Sequence, residues 1–390
     1  MKEEAKTETL WSKSYILILA VNTVAFLGFQ ILIPLVPLYG LNFTSSESQI
    51  GLLAAGIAIA ALCSRPFAGL IADRYDNNRI IVLTQLGTAA VVALYIAAPN
   101  IGALIALRLA QGFMFGLGST AIVAAAARTV PESMMGRGIG ILTVTGMGSQ
   151  AIAPIMGLWI VEKWNYPTLF VSTAVIALAA AFLAAAAKVG KSGPKAREPV
   201  KKRISPRDLF AVESLGLVGL AVIIAASTSL PVSFIVLFAQ TRDIPHIGLF
   251  FTVNTVALVL MRIFGSGLID RYSVRHILPL GAAACAIALA IIGASTTFPP
   301  LCVAAVLMGS GYGIAAPAIL VNMIRAVGTG RIGTAGATYY FGIDFAYVVG
   351  PIAMGLIAEA SSYSVGFFAF VAPTLTAVPL TFILARKQTA

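Results

Sequence analysis

The sequence predicts an all-α membrane protein: twelve transmembrane helices arranged as two six-helix bundles related by a pseudo-twofold axis. Three observations lead there. The chain is too apolar for water, its apolar residues come in runs of bilayer length, and its two halves repeat each other at one constant offset.

Hydrophobic residues make up 59% of the 390 residues and charged residues only 11%, with a mean hydropathy of +0.93. A soluble domain carries about 25% charged residues. A soluble core of this length has no room for so much apolar surface, whereas a bilayer removes the need to hide it. A span takes about 20 apolar residues. The runs fall at 15–39, 49–71, 79–98, 101–128, 137–162, 167–187, 209–239, 246–269, 276–295, 299–326, 332–359 and 364–385. Helices follow because every backbone group must be satisfied without water. A β-barrel would show short alternating segments instead. The first run is too long for a cleavable signal, and its flank, Met1 to Lys13, mixes Glu and Lys, so it is expected to stay as a span. Cys63, Cys285 and Cys302 all fall inside spans. An odd, membrane-embedded set of this kind offers neither a disulfide framework nor metal-ligand spacing.

The net charge of +11 reflects topology. Of 26 Lys and Arg residues, 21 fall on the side that holds both termini, two (Lys163 and Arg242) on the other, and three (Arg65, Arg108 and Arg262) within spans. The positive-inside rule therefore places both termini in the cytoplasm and removes the need for a nucleic-acid partner. Lipids and a small-molecule solute are the expected partners, the setting a prokaryotic plasma membrane, and the state a monomer.

Sliding the chain by 197 residues superposes Pro34 on Pro231 and Gly112 and Gly116 on Gly309 and Gly313. The same shift brings Arg128 onto Arg325, Pro154 onto Pro351 and Glu162 onto Glu359. Arg65, Phe67, Asp73, Arg74 and Tyr75 meet Arg262, Phe264, Asp270, Arg271 and Tyr272. The domain reading is thus an N-terminal bundle over 1–187, a basic cytoplasmic linker over 188–207 containing Gly193, Pro194, Pro199 and Pro206, and a C-terminal bundle over 208–390. Two halves in the same orientation, with a site at the midplane between them, is a transporter architecture.

Specific motifs support this. Gly69-Leu70-Ile71-Ala72-Asp73-Arg74-Tyr75 with Arg79 resembles the loop between spans 2 and 3 of the major facilitator superfamily, with a weaker copy at Gly267 to Tyr272. Leu107-Arg108-Leu109-Ala110-Gln111-Gly112 resembles that superfamily's second motif. Ala153-Pro154-Ile155-Met156-Gly157 resembles the antiporter motif of its drug exporters, with Ala153 and Ser149 where glycines are usual. Arg65-Pro66-Phe67, Gly248 to Phe251 and Asp344 are similar to features of bacterial 12-span drug and metallophore exporters. The resemblance implies the major facilitator fold, alternating access and proton-coupled efflux through an antiporter. It names no substrate, and it leaves open an importer or uniporter of the same fold and, from a different class, a lipid flippase or a non-transporting sensor.

Asp344 is the sharpest functional candidate. Of 15 acidic residues, 14 lie in loops, at termini or within about two turns of a span end, and Asp344 alone sits mid-span. A charge there costs about 2.5–3.5 kcal/mol, and desolvation favours the uncharged form of a carboxylic acid, which suits a proton carrier. Tyr340, Asp344, Tyr347 and Pro351 share one helical face. Arg108 lies about 10 Å deep in span 4, with Gln111 and Phe115 on its face, and the second motif implies a part in proton coupling. The resemblance also makes Asp73, Arg74 and Arg79, and more weakly Asp270 and Arg271, a cytoplasmic gate. Arg65 and Arg262, nearer the cytoplasmic ends, read as structural residues able to snorkel.

The expected substrate cavity lies between spans 1, 4, 5, 7, 8, 10 and 11. Its candidate lining is Asn22, Phe26, Phe29, Gln30, Gln111, Phe115, Gln150, Ser229, Ser233, Asn254, Tyr312, Asn322, Tyr340 and Tyr347. Gly112 to Gly116 and Gly309 to Gly313 read as close helix packing. Gly190-Lys191-Ser192 ends like a phosphate-binding loop, but position 185 is Ala and no strand precedes it. His246 and His276 are far apart in loops, and no nucleophile and base share a motif. No catalytic residue, metal or cofactor is therefore expected.

Overall fold

The computed structural model describes residues 10–131, 134–187, 211–271, 274–327 and 332–387. Eleven long helices come first: α1 (Lys13–Gly40), α2 (Glu47–Arg74), α3 (Asn77–Leu94), α4 (Ile101–Thr129), α5 (Met135–Lys163), α6 (Tyr166–Ala187), α7 (Leu215–Gln240), α8 (Gly248–Arg271), α9 (Val274–Ala294), α10 (Phe298–Val327) and α11 (Ile332–Ala360). The twelfth span is built from three shorter pieces, α12 (Tyr363–Ala369), α13 (Val371–Leu375) and α14 (Ala377–Lys387). Counting those pieces as one, eleven of the spans have the length and apolarity to cross a bilayer, and α8 is apolar over Gly248–Phe264. This is an integral membrane protein of two six-helix bundles, α1–α6 and α7–α14.

Short polar residues start the helices by capping their free N–H groups. Ser12 accepts from the amide of Tyr15, Asp76 from Asn78, Asn100 from Ala103 and Asn165 from Thr168. Two expectations need correction. The seventh span starts at Leu215 rather than 209, because Val212–Ser214 forms a 3₁₀ turn. The twelfth is not one helix. Proline has no N–H to give the carbonyl four residues back. Pro373 thus leaves Ala369 unbonded and Pro379 leaves Leu375 unbonded, and the helix pieces end at those two residues. The expected linker at 188–207 lies outside the described residues.

The repeat recurs in the packing. In the first bundle, Gly112 and Gly116 of α4 lie on the backbone of Ile57 to Ala61 in α2. In the second, Gly309 and Gly313 of α10 lie on Asn254 to Leu258 in α8. Every partner is shifted by the same 197 residues. A Cβ at Gly112 would fall 2.5 Å from the Ile57 carbonyl oxygen, which no side-chain motion relieves. Gly112→Ala is therefore expected to destabilise by roughly 1–3 kcal/mol, seen as a lower unfolding midpoint in detergent. Gly140→Ala, whose Cβ would meet nothing within 4 Å, should leave the midpoint unchanged. Equal midpoints for the two variants would refute the packing role.

Lys163 lies 5.3 and 5.2 Å from the ring centroids of Trp159 and Trp164. Exposed Trp rings beside a cation suit the membrane–water interface. That end of the molecule is called the far face here. The opposite end, carrying Arg74, Arg79, Arg128, Arg275 and Arg325, is the basic face.

Candidate functional site

The bundles meet along α2 against α11 and α5 against α8, with α1 against α7 as a lesser contact. At the far face these seams are closed. A Cβ at Gly51 would sit 2.6 Å from the Pro351 carbonyl oxygen and 3.0 Å from Gly355 Cα. Thr252 Oγ1 donates to the Ala151 carbonyl at 2.6 Å, tying α8 to α5. Glu359, at the end of α11, accepts from Ser46 Oγ at 3.0 Å and from the Ser48 amide at 3.1 Å. Ser48 lies in the first turn of α2, where amides lack helical partners and the helix dipole favours an anion. The Tyr363 hydroxyl donates to Glu47 across the same seam.

Towards the basic face the helices part. A Cβ on Gly69 of α2 or Gly336 of α11 would meet nothing within 4 Å, although Gly51 and Gly355 of the same two helices touch. Among the described residues, α2 and α11 therefore touch at the far face and part towards the basic face.

The ion pair of Arg65 on α2 with Asp344 on α11 sits at the inner end of this opening. Arg65 Nε and Nη2 both reach the carboxylate, the second at 3.1 Å. The sequence marked Asp344 as a lone mid-span acid and Arg65 as structural; the fold makes them one bidentate pair joining the two bundles. Around it, Tyr347 lies against Thr228 of α7 and near Asp344. Tyr312 of α10 lies beside Tyr339 of α11, and the rings of Tyr339 and Tyr340 are 5.4 Å apart. Arg262 stands beside Tyr312 and Tyr339. Sequence reasoning passed over Tyr339 and read Arg262 as a structural residue able to snorkel. The recurrence of Arg262 at the offset of Arg65 was the available signal.

Arg108 is fully buried. It donates to Gln111 Oε1 at 3.1 Å, and Gln111 also accepts from the Tyr95 hydroxyl at 2.6 Å. Its Nη2 lies 3.5 Å from the Ile33 carbonyl. That carbonyl is available because Pro37, four residues on, has no N–H to give it. Among the described residues no carboxylate pairs with Arg108.

The other candidates divide. Phe115 stacks on Phe29 at 3.9 Å, with Phe26 at 5.8 Å, and all three line a hollow with Gln111. Gln30 and Gln150 are half-buried and Ser233 is buried. Asn22 is committed to α5, donating to the Leu142 carbonyl at 2.9 Å and to Thr145 at 3.1 Å. Asn254 donates to Ala305 of α10 at 3.2 Å, and Asn322 to its own helix at Ala318, 2.7 Å. Ser229 donates to Ala226 at 2.8 Å and lies against Gly350. Asn22 and Asn254 thus bond helices together, whereas Asn322 and Ser229 donate within their own helices. A separate apolar cavity of about 440 Å³ runs between α8 and α10 past Val256, Leu260 and Phe264. Of the expected gate, Arg74 is exposed and Arg79 is 3.9 Å from Asp76 one turn away. Arg128 ties α4 to the Ala72 carbonyl at 2.9 Å. The side chains of Asp73, Asp270 and Arg271 lie outside the described residues.

Solved structures share this architecture. The chain aligns with a bacterial homologue of the human lysosomal transporter Spinster, in an inward-facing and unoccupied conformation, at a TM-score of 0.79 and 14% identity over 97% of this chain and 98% of that one. It aligns with a mutant of the nucleoside transporter NupG at 0.78 and 13%, over 94% and 99%. At such identity the likeness concerns the fold. By sequence, the chain is similar to a multidrug resistance protein B homolog of Mycobacterium tuberculosis, 27% identical over 37% of this chain and 27% of the relative. It is also similar to the multi-drug resistance efflux pump PmrA of Streptococcus pneumoniae, 25% identical over 52% of this chain and 51% of the relative. The matched segments thus span about a quarter to a half of these relatives' length. A sequence model of the Major Facilitator Superfamily matches residues 18–246 and 215–390. With nearly all of both repeated bundles under that model, the chain belongs to the Major Facilitator Superfamily.

Proposed function

We propose that this protein is a secondary active transporter that exports a small drug-like or metabolite solute in exchange for protons. It works as a monomer in a bacterial plasma membrane, with its bundles joined through 188–207 and without cofactor or catalytic chemistry. The observation that carries the proposal is the Arg65–Asp344 pair, which joins the two bundles at the inner end of an opening between them. The names of the sequence relatives, drug-resistance and efflux proteins, support export. The basic loops put the open face in the cytoplasm, so the state described is inward-facing.

The cycle follows from the charges. With its proton released to the cytoplasm, Asp344 is held by Arg65. Solute enters from the basic face, and the far-face seams part as the cytoplasmic side closes. A proton arriving from outside neutralises Asp344, breaks its bond to Arg65 and returns the empty carrier. Direction then follows from differential binding of the two states. Asp344→Asn imitates the protonated acid. In inverted vesicles it is expected to lose gradient-driven solute uptake, while counterflow without a gradient persists. Gradient-driven uptake at the wild-type rate would take Asp344 out of the mechanism. Movement only in the opposite direction would make the protein an importer.

A further inference from the structure

We infer that the transported solute is an organic anion, an aromatic carboxylate or a compound bearing one, and that Arg262 with the hydroxyls of Tyr312, Tyr339 and Tyr340 is its docking site. This inference rests on the transport reading and narrows its substrate class.

The repeat exposes an asymmetry. Arg65 and Arg262 are the same position in the two halves, 197 residues apart. Arg65 has Asp344 across the seam. The position matching Asp344 in the first half is 147, which is Met, so the seam that would complete Arg262 offers it no acid. Among the described residues no carboxylate pairs with it, and its Nε is buried without a hydrogen-bond partner. A guanidinium nitrogen removed from water without an acceptor is unfavourable, and an incoming anion relieves that.

The surroundings suit a flat anion. Gly313 locks α10 onto Leu258 and Met261 of α8, so Tyr312 and Arg262 flank a rigid crossing. Tyr339 lies beside Tyr312, and Tyr340 is 47% exposed. Tyr312 and Tyr339 next to the guanidinium, with Tyr340 against Tyr339, supply ring faces for an aromatic body and O–H donors for a carboxylate. The charge balance of the core agrees. Arg65 and Asp344 cancel, and Arg108 has only neutral partners. The membrane-embedded interior is therefore left with two cations and no free anion among the described residues.

The test uses three probes of one shape: 1-naphthoate, 1-naphthamide and 1-naphthylmethylammonium. Binding to the purified full-length protein is measured by equilibrium dialysis, and counterflow in proteoliposomes. Naphthoate is expected to bind at least about ten-fold more tightly than the amide or the amine. Arg262→Gln should cost naphthoate about ten-fold and leave the amide unchanged, while Arg262→Lys should recover part of the loss and so separate charge from folding. Failure of naphthoate to bind, equal binding of all three, or naphthoate binding indifferent to Arg262→Gln overturns the inference. Anion binding without counterflow would instead remove the transport reading and keep the site. Counterflow of the amine alone, unaffected at Arg262, would keep transport and remove the anion.

Discussion

Arg65→Gln is expected to lower the unfolding midpoint and to abolish gradient-driven transport. Adding Asp344→Asn should restore most of the midpoint but none of the coupled transport. Removing one partner of a buried ion pair costs roughly 3–5 kcal/mol, because the other charge is stranded, while removing both is close to neutral. The Arg65 side chain is 29% exposed and that of Asp344 13%, so solvent takes part of the penalty and about 2 kcal/mol is the expected single-variant loss. The cycle of wild type, two single variants and the double variant isolates the interaction. Additive midpoint losses would show that the two side chains do not act as a pair. Recovery of transport in the double variant would show that the pair holds the bundles together without handling protons.

The second large effect is expected at the far face. Glu359 reaches both Ser46 and Ser48, so the ends of α2 and α11 are within a few ångströms in this state. With the native Cys63, Cys285 and Cys302 replaced, Ser48→Cys together with Glu359→Cys should be joined through two disulfides by a short bis-methanethiosulfonate reagent. The joined protein should lose essentially all transport, and a reductant should restore it, because the far face must open in every cycle. Binding of solute from the basic face should survive the cross-link. Full transport in the joined protein would mean that this seam does not open.

The sequence carried the fold because helix packing repeats itself in residue type. Gly112, Gly116, Gly309 and Gly313 sit where α4 meets α2 and α10 meets α8, and a constant offset is visible without coordinates. Asp344 was legible because a lone acid among apolar neighbours has no local explanation. Its partner was not legible. Arg65 is 279 residues away, on the other bundle, and nothing in either segment encodes which helices touch across the seam. Asn22, Asn254 and Asn322 were misleading for a related reason: a polar residue in a span looks the same whether it faces a cavity or a neighbouring carbonyl. The division of the last span was written in Pro373 and Pro379, but its hydropathy is continuous and hid the breaks. Pro34 and Pro37 lie within an unbroken α1, so proline alone does not tell a break from a tolerated kink.

The contact of Gly51 with Gly355 has a mechanical consequence. From Gly355 to Gly336, α11 runs 19 residues, about 28 Å of helix. With the far-face contact as fulcrum, each degree of rotation moves the basic end by about half an ångström. A swing of about 15 degrees then admits a solute roughly 7 Å across, with the helices kept straight and the glycine-packed pairs within each bundle left intact. The same leverage works against the protein. One extra methyl group at the fulcrum, as in Gly51→Ala, would be magnified along the whole arm and hold the basic-face ends at the wrong separation.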